Sequence, residues 1–560
     1  MGSSTSAWSL PLPLWTPPIS TYFTLHGRHL CTTMSTSSIL TVLTLNKYKL
    51  LEEDSQEWFN HGGDLFNRRY AYKEHRISSK SVPNLRLKWK FSAGREITAT
   101  PAIFNGTIYF PSWNGNINAV KAYDGSLVWK QNIQNLTGIK SPSTIPRLNT
   151  SFSRSTPSLA GDDLLVVGIC GPAVVIALNR TNGELVWKTR LDSHNTGVIT
   201  MSGTYYKGGF YVGTSSAEES SSVEQCCTFR GSFSKLDINT GAILWQTYML
   251  PDNHGNKGEY AGAALWGSSP SIDALRNLVY IATGNLYSVP LRISQCQERE
   301  NNQTVPTHPD ECVETDNHSD SILALDLDSG KIKWYRQLGG YDVWFAACSN
   351  LSTPNCPPGP NPDADFGEAP MMLTIYVNGS RQDIIVTVQK SGFTWALNRD
   401  NGSLIWSTAA GPSGEGGGGN WGAATDEHKV YTNNANTDAK NFTLVPSNKT
   451  INSGGWVAMD ARDGKILWSI ANPSNTTTIS GPVSVANGVV FSGSPNANGT
   501  IYAINAESGQ ILWSYDTGIG VYGGVSISDG CIYVGQGLSS VTAPAGYNFT
   551  APISLFSFCV

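Results

Sequence analysis

ALNRTNGELVW, residues 177–187, reads as two short strands joined by a turn: Ala177 and Leu178 open it, Asn182-Gly183 supply the turn, and Leu185 to Trp187 close it. Asn and Gly tolerate the left-handed backbone of a tight turn, and period-two alternation gives each strand one inward face. The pattern returns as KLDINTGAILW (235–245), ALDLDSGKIKW (324–334) and AMDARDGKILW (458–468). Seven copies end in Gly-x-x-x-Trp, at Gly125/Trp129, Gly183/Trp187, Gly241/Trp245, Gly330/Trp334, Gly402/Trp406, Gly464/Trp468 and Gly509/Trp513. A hairpin repeat with one large, rigid aromatic at a fixed place suits radially stacked sheets, each Trp wedged between neighbours. An eighth Trp, Trp89 in NLRLKWKF, has no such turn before it, while VSISDGCIYVG (525–535) and ISLFSF (553–558) at the far end alternate without a Trp strand. Pairing the two ends completes an eighth sheet and removes the open edges. The expected fold is all-β, an eight-bladed β-propeller over residues 56–560 closed by its N- and C-terminal strands. An open solenoid of hairpins would need capping segments, and none is visible.

Outward from the repeat, the intervals Trp245–Trp334 and Trp334–Trp406 are the longest, so insertions concentrate between the third and fifth copies. Loops of this kind build one face of a propeller and carry its function. Charged residues make up 14% of the chain and the net charge is -5, which leaves no basic face for phosphate neutralisation and argues against a nucleic-acid partner. No run of 18 apolar residues is present, so no transmembrane span is expected.

Fourteen Asn-x-Ser/Thr sequons, together with Cys296/Cys312 and Cys348/Cys356 bracketing polar loops, point to a secreted, oxidising environment. Residues 1–55 carry no clean signal peptide and read as a targeting remnant or disordered leader.

Between the repeats lie loop motifs that resemble those of the pyrroloquinoline-quinone (PQQ) alcohol dehydrogenases, most of all the polyvinyl-alcohol dehydrogenase branch. They accompany the opening WFNHGGDLFNRRYA, and the likeness runs from about Trp58 to the end. SSAEESSSVEQCCTFRGS (215–232) is similar to the loop whose Glu binds calcium, which implies Glu218. GAALWGSSPSID followed by YIATGNLY resembles the stretch supplying a Trp floor beneath the quinone and a metal-binding Asn, implying Trp266 and Asn285. DADFGEAPMML followed by VQKSGFTWALNRD resembles the segment with the catalytic Asp and a cation beside the quinone oxygens, implying Asp365, with Asp363 as its rival, and Lys390. GGGGNWGAATD implies Asn420 and Trp421 as cofactor contacts; FSRSTPSL and GVITMSG imply Arg154 and Thr200.

These residue types suit the implied chemistry. Calcium prefers several oxygen ligands, here Glu218, Asn285 and Asp365. A carboxylate can take an alcohol proton, and a lysine can stabilise charge on reduced oxygens. Each residue also has an ordinary structural reading: Glu218 as a solvated loop acid, Lys390 as a turn lysine, Trp266 as a blade wedge.

The chain departs from the resemblance in three places. REITATPA (95–102) has Thr98 nearest the position of a quinone-contacting Glu, the adjacent Cys226 and Cys227 lie on a different loop from the family's vicinal disulfide, and no CxxCH exists for a built-in haem. The implied activity is oxidation of a small or polymeric alcohol by calcium-bound PQQ, with an external electron acceptor. The alternatives are a cofactor-free binding or scaffold propeller, and recognition of sugar polymers by aromatics such as Trp344 and Trp421.

Overall fold

The computed structural model describes residues 56–140, 151–301, 312, 314–350, 356, 361–414, 417, 419, 421–473, 481–537 and 552–560. The expected leader at 1–55 lies outside the described residues. From Trp58 onward the chain forms eight four-stranded antiparallel sheets, each one blade of a propeller. Seven blades are continuous in sequence. The eighth pairs strand Arg86–Ser92 with Ser554–Cys559, Cys531–Gly535 and Ser526–Ser528 in that order, so the ends of the chain close the ring as expected. Cys531 and Cys559, on neighbouring strands of this composite blade, form a disulfide that the sequence reading did not pair.

Each repeat Trp lies outside its own turn and covers the turn of the next blade. Its indole N–H donates to a carbonyl there: Trp89 to Ala122, Trp129 to Arg180, Trp187 to Ile238, Trp245 to Leu327, Trp334 to Arg399, Trp406 to Ala461 and Trp468 to Ala506, at 2.7 to 3.2 Å. Beneath each ring sits the repeat Gly of that next blade. A Cβ at Gly125, Gly183, Gly241, Gly330, Gly402, Gly464 or Gly509 would stand 2.5–2.9 Å from the ring. The glycine is therefore required twice, by its positive φ and by the indole face resting on it. Trp513 has no such seat, because the composite blade has no hairpin at that place. It packs edge-on against Phe558 at 5.3 Å instead.

The opening segment 58–71 runs around the inside of the ring. Its backbone bonds in turn to the innermost strands of six blades: Trp58 to Ile103, Phe59 to Leu159, Leu65 to Ile272, Phe66 to Met372, Arg68 to Thr425, and Arg69 and Ala71 to Val485. The Asn60 side chain reaches Thr204 on the third blade. Polar backbone groups of the channel lining are satisfied by this segment. Trp58, His61, Asn67 and Arg69 are buried, so the channel is filled along this stretch.

Candidate functional site

The site is built by loops that enter the innermost strands or join the inner strands of blades 2 to 6. The loop before strand Met371–Val377 carries Asp363 and Asp365, and the turn between Ser380–Val388 and Phe393–Asn398 carries Lys390. Lys390 Nζ donates to both carboxylate oxygens of Asp363 at 2.9 Å and to Asp365 Oδ2 at 2.8 Å, while its backbone N–H bonds the Asp365 carbonyl. Burial works against the ammonium charge, but Asp363 and Asp365 outweigh it and hold the Lys390 pKa well above the usual lysine value. Asp365 Oδ1 accepts the Asn285 backbone N–H at 2.7 Å. Asp342 fixes the loop from behind, accepting the N–H groups of Asp363 and Ala364; burial raises its pKa to about 6.

Asn285 donates its amide Nδ2 to the carbonyls of Leu286 and Trp344, which leaves Oδ1 buried and without a hydrogen-bond partner among the described residues. Trp344 also stands 6.0 Å from the Lys390 ammonium. Trp266, half-buried, packs on the cluster of Cys226, Cys227, Phe229 and Tyr287, its indole N–H without a hydrogen-bond partner among the described residues. A side chain at Gly284 would collide with Asp365 Oδ1 and Trp266 Nε1, so this glycine lets the Trp floor and the acid approach. Thr200 donates its hydroxyl to the Trp266 carbonyl and pairs with Ser215.

On the other side, the Arg154 guanidinium lies 5.0 Å over the Trp421 ring, and Tyr522 is hydrogen-bonded to Arg154. Trp421 adopts φ 60° and its ring fills the space above Gly267, next to Trp266. The structure thus brings Arg154, Thr200, Trp266 and Trp421 into one connected group, and Asn285, Asp365 and Lys390 into another that meets it at Trp266. Asn420 lies outside the described residues.

Glu218 is placed differently from the expectation. It is on the 3-10 turn Ala217–Ser220, and its carboxylate accepts the backbone N–H groups of Thr228 and Phe229 at 2.8–3.0 Å, with His194 at 3.5 Å. These bonds staple the loop, and the same carboxylate lies within 4.8 Å of the Cys226 and Cys227 sulfurs. The next residue, Glu219, is the one whose carboxylate gathers with Asp363 and Asp365, all three ligand atoms within 4.8 Å of one another. Asp320, fully buried with neither carboxylate oxygen hydrogen-bonded among the described residues, completes the acidic surroundings; burial and then the neighbouring Asp342 push its pKa well up.

Sequence reasoning weighed Asp363 but missed Glu219, Asp320 and Asp342. The EE pair signalled Glu219; nothing in the sequence signalled the other two. Cys226 and Cys227 are disulfide-bonded to each other, as are Cys296 with Cys312 and Cys348 with Cys356. At the REITATPA segment, Thr98 accepts the Trp113 indole N–H, and the buried Glu96 pairs with Arg95.

The glucose/ethanol/alcohol dehydrogenase β-propeller domain family, the PQQ family, matches residues 58–425 of the chain. The chain belongs to this family. Residues 453–547 match a second propeller family described by the outer membrane protein assembly factor BamB. The chain is 27% identical over 523 residues to a polyvinylalcohol dehydrogenase of Pseudomonas sp, covering 86% of this chain and 73% of that protein. It is 26% identical to the polyvinylalcohol dehydrogenase of Sphingopyxis sp., over 88% of this chain and 74% of that protein.

Among solved structures, the quinohemoprotein alcohol dehydrogenase from Comamonas testosteroni superposes with a TM-score of 0.65 at 19% identity, covering 90% of this chain and 80% of that one. A europium-containing methanol dehydrogenase superposes with a TM-score of 0.66 at 17% identity, over 92% and 99% of the two chains. Both share the fold.

Proposed function

We propose that this protein is a PQQ- and cation-dependent dehydrogenase of alcohols, with Asp365 as the base. The observation that carries the reading is the meeting of an ion-ready oxygen set with a buried acid–lysine pair at the end of the propeller channel. Asn285 Oδ1 is buried and unpaired, and three carboxylates face one ammonium, so oxygen donors exceed the positive charge available to balance them. Glu219, Asp363, Asp365 and Asn285 would hold the cation, which the resemblance gives as calcium. Trp266, Trp421, Thr200 and Arg154 would hold the quinone, the indoles offering flat apolar surface and the guanidinium a positive charge. Bound there, the cation-polarised quinone supplies a two-electron hydride acceptor.

The chain's own residues do the rest. Asp365 accepts the hydroxyl proton of the alcohol as hydride leaves the carbinol carbon, and the Asn285 N–H and Lys390 keep its carboxylate aimed. Lys390, anchored on Asp363, places a fixed positive charge where oxygen charge grows. The buried Trp58, His61, Asn67 and Arg69 fill the channel behind the site and limit water there.

The two relatives named for polyvinylalcohol favour a secondary alcohol, polymeric or small, as substrate. The sequence contains no CxxCH, so a separate acceptor takes the electrons. Four disulfides and exposed sequons such as Asn105, Asn378 and Asn401 favour secretion, although Asn317 is buried and unsuited to a glycan.

The test is dye reduction by a secondary alcohol after loading purified protein with PQQ and calcium. Activity in the wild type, and a loss of at least about 100-fold in Asp365→Asn, are expected. A cofactor-free binding propeller would show neither activity nor quinone binding.

A further inference from the structure

At the other end of the innermost strands, away from the dehydrogenase loops, a cavity of about 300 Å³ opens between blades 1, 2 and 3 and the segment that fills the channel. That volume matches the lower end of small-molecule sites. Its walls are mostly apolar and largely aromatic, with Phe59, Phe104 and Tyr205 contributing ring surface. Phe59 is 43% exposed, so its ring is open to a ligand.

Two cations line the same cavity. Arg180 is held 4.4 Å over the Phe104 ring, with one guanidinium nitrogen on the Asp162 carbonyl, and Lys207 stands at the rim. Asp64, the acid in the lining, is already bound twice by Arg68, while the exposed Asp163 stands 3.7 Å from the Arg180 guanidinium and offsets its charge in part. At the base, Asn60 is 3% exposed, and its Oδ1 has no hydrogen-bond partner among the described residues, while Nδ2 donates to Thr204. A buried acceptor left unmet costs about 1–3 kcal/mol, a cost that a ligand hydroxyl or N–H would relieve.

We propose that this cavity is a second ligand site, independent of the dehydrogenase site, and that it binds a single-ring aromatic acid bearing a para donor, of the hydroxybenzoate class. The ring lies against Phe59, Phe104 and Tyr205, the carboxylate meets Arg180 and Lys207, and the hydroxyl donates to Asn60 Oδ1. Aromatic walls favour a flat ring over a sugar, and the cations favour an acid over a neutral phenol.

The experiment is calorimetric titration of the full chain with 4-hydroxybenzoate, benzoate and glucuronate, repeated on Arg180→Gln and Lys207→Gln. Expected are saturable one-site binding of 4-hydroxybenzoate, binding of benzoate about tenfold weaker, and about tenfold loss in Arg180→Gln. Lys207→Gln, an exposed substitution, should weaken binding a fewfold and leave the fold unchanged by circular dichroism. The proposal is overturned by no saturable binding up to about 10 mM, by binding that ignores both substitutions, or by glucuronate binding as tightly as 4-hydroxybenzoate. PQQ loading reads the other site and leaves these constants unchanged if the two are independent.

Discussion

Replacing Gly241 with Ala tests the interlock that holds the ring together. Two costs arise. Gly241 has φ +71°, where a Cβ costs about 1–2 kcal/mol. The new Cβ would also stand 2.6 Å from Cε3 of Trp187 and 2.7 Å from Thr189 Oγ1, so the indole must lift from the turn. Overpacking of that kind costs about 1–3 kcal/mol. It also endangers the bond from Trp187 Nε1 to the Ile238 carbonyl, 2.7 Å long and buried.

The total is about 2–5 kcal/mol. Gly208 provides the control: its φ is +80°, but a Cβ there meets nothing within 4 Å, so Gly208→Ala pays the backbone cost alone. Urea unfolding of both variants, followed by Trp fluorescence and circular dichroism, gives the comparison. Gly241→Ala should lose at least about 1 kcal/mol more than Gly208→Ala. Equal losses would show that the Trp–Gly contact contributes nothing beyond turn geometry.

Three further outcomes follow from the structure. Glu219→Gln should weaken calcium binding about tenfold or more with the fold intact, whereas Glu218→Gln should chiefly lower thermal stability; calcium titration and thermal melts separate them, and the reverse pattern would restore Glu218 as the ligand.

Burial lowers the His61 pKa to about 3 from 6.5, with Arg69 adding to the effect, so the unfolded chain binds this proton more readily. His61 therefore favours the folded state at neutral pH, and stability falls as pH drops from about 6.5 toward 3, by up to about 1.4 kcal/mol per pH unit from this group. Denaturation across that window should show a shallower acid slope in His61→Gln. Removing the Cys531–Cys559 bridge, whose separation is 28, should cost about 3–4 kcal/mol on the loop-entropy estimate, read as a lower denaturation midpoint in Cys559→Ser.

The ring was legible because its evidence is periodic. Seven Gly-x-x-x-Trp copies and one stray Trp89 suffice to count blades and to pair the ends. What the repeat does not disclose is that each Gly seats the Trp of the preceding blade, because that contact joins residues 36 to 85 positions apart and appears only once the blades stack.

Where one motif carries one residue in a defined turn, as with Asp365 and Lys390, the structure brings the implied pair into contact. The Glu218-Glu219 pair was not legible, since which of two neighbours on a short 3-10 turn reaches Asp363 and Asp365 depends on the amide groups of Thr228 and Phe229 that capture the other. Asp320 and Asp342 sit in ordinary-looking turn sequence and become unusual only through burial. The channel-filling role of WFNHGGDLFNRRYA likewise needs six blades in place before its backbone has anything to bond.

A cation-dependent quinone site at the end of the channel, as proposed, must bind PQQ in the purified chain. Equilibrium titration of the purified chain with PQQ, with calcium and with calcium removed by chelator, tests it most directly through quenching of the Trp266 and Trp421 fluorescence. One PQQ per chain is expected with calcium present, with binding weakened about tenfold or more by chelation and by Asp363→Asn. Absence of saturable binding with calcium, or binding indifferent to both calcium and Asp363→Asn, would contradict it.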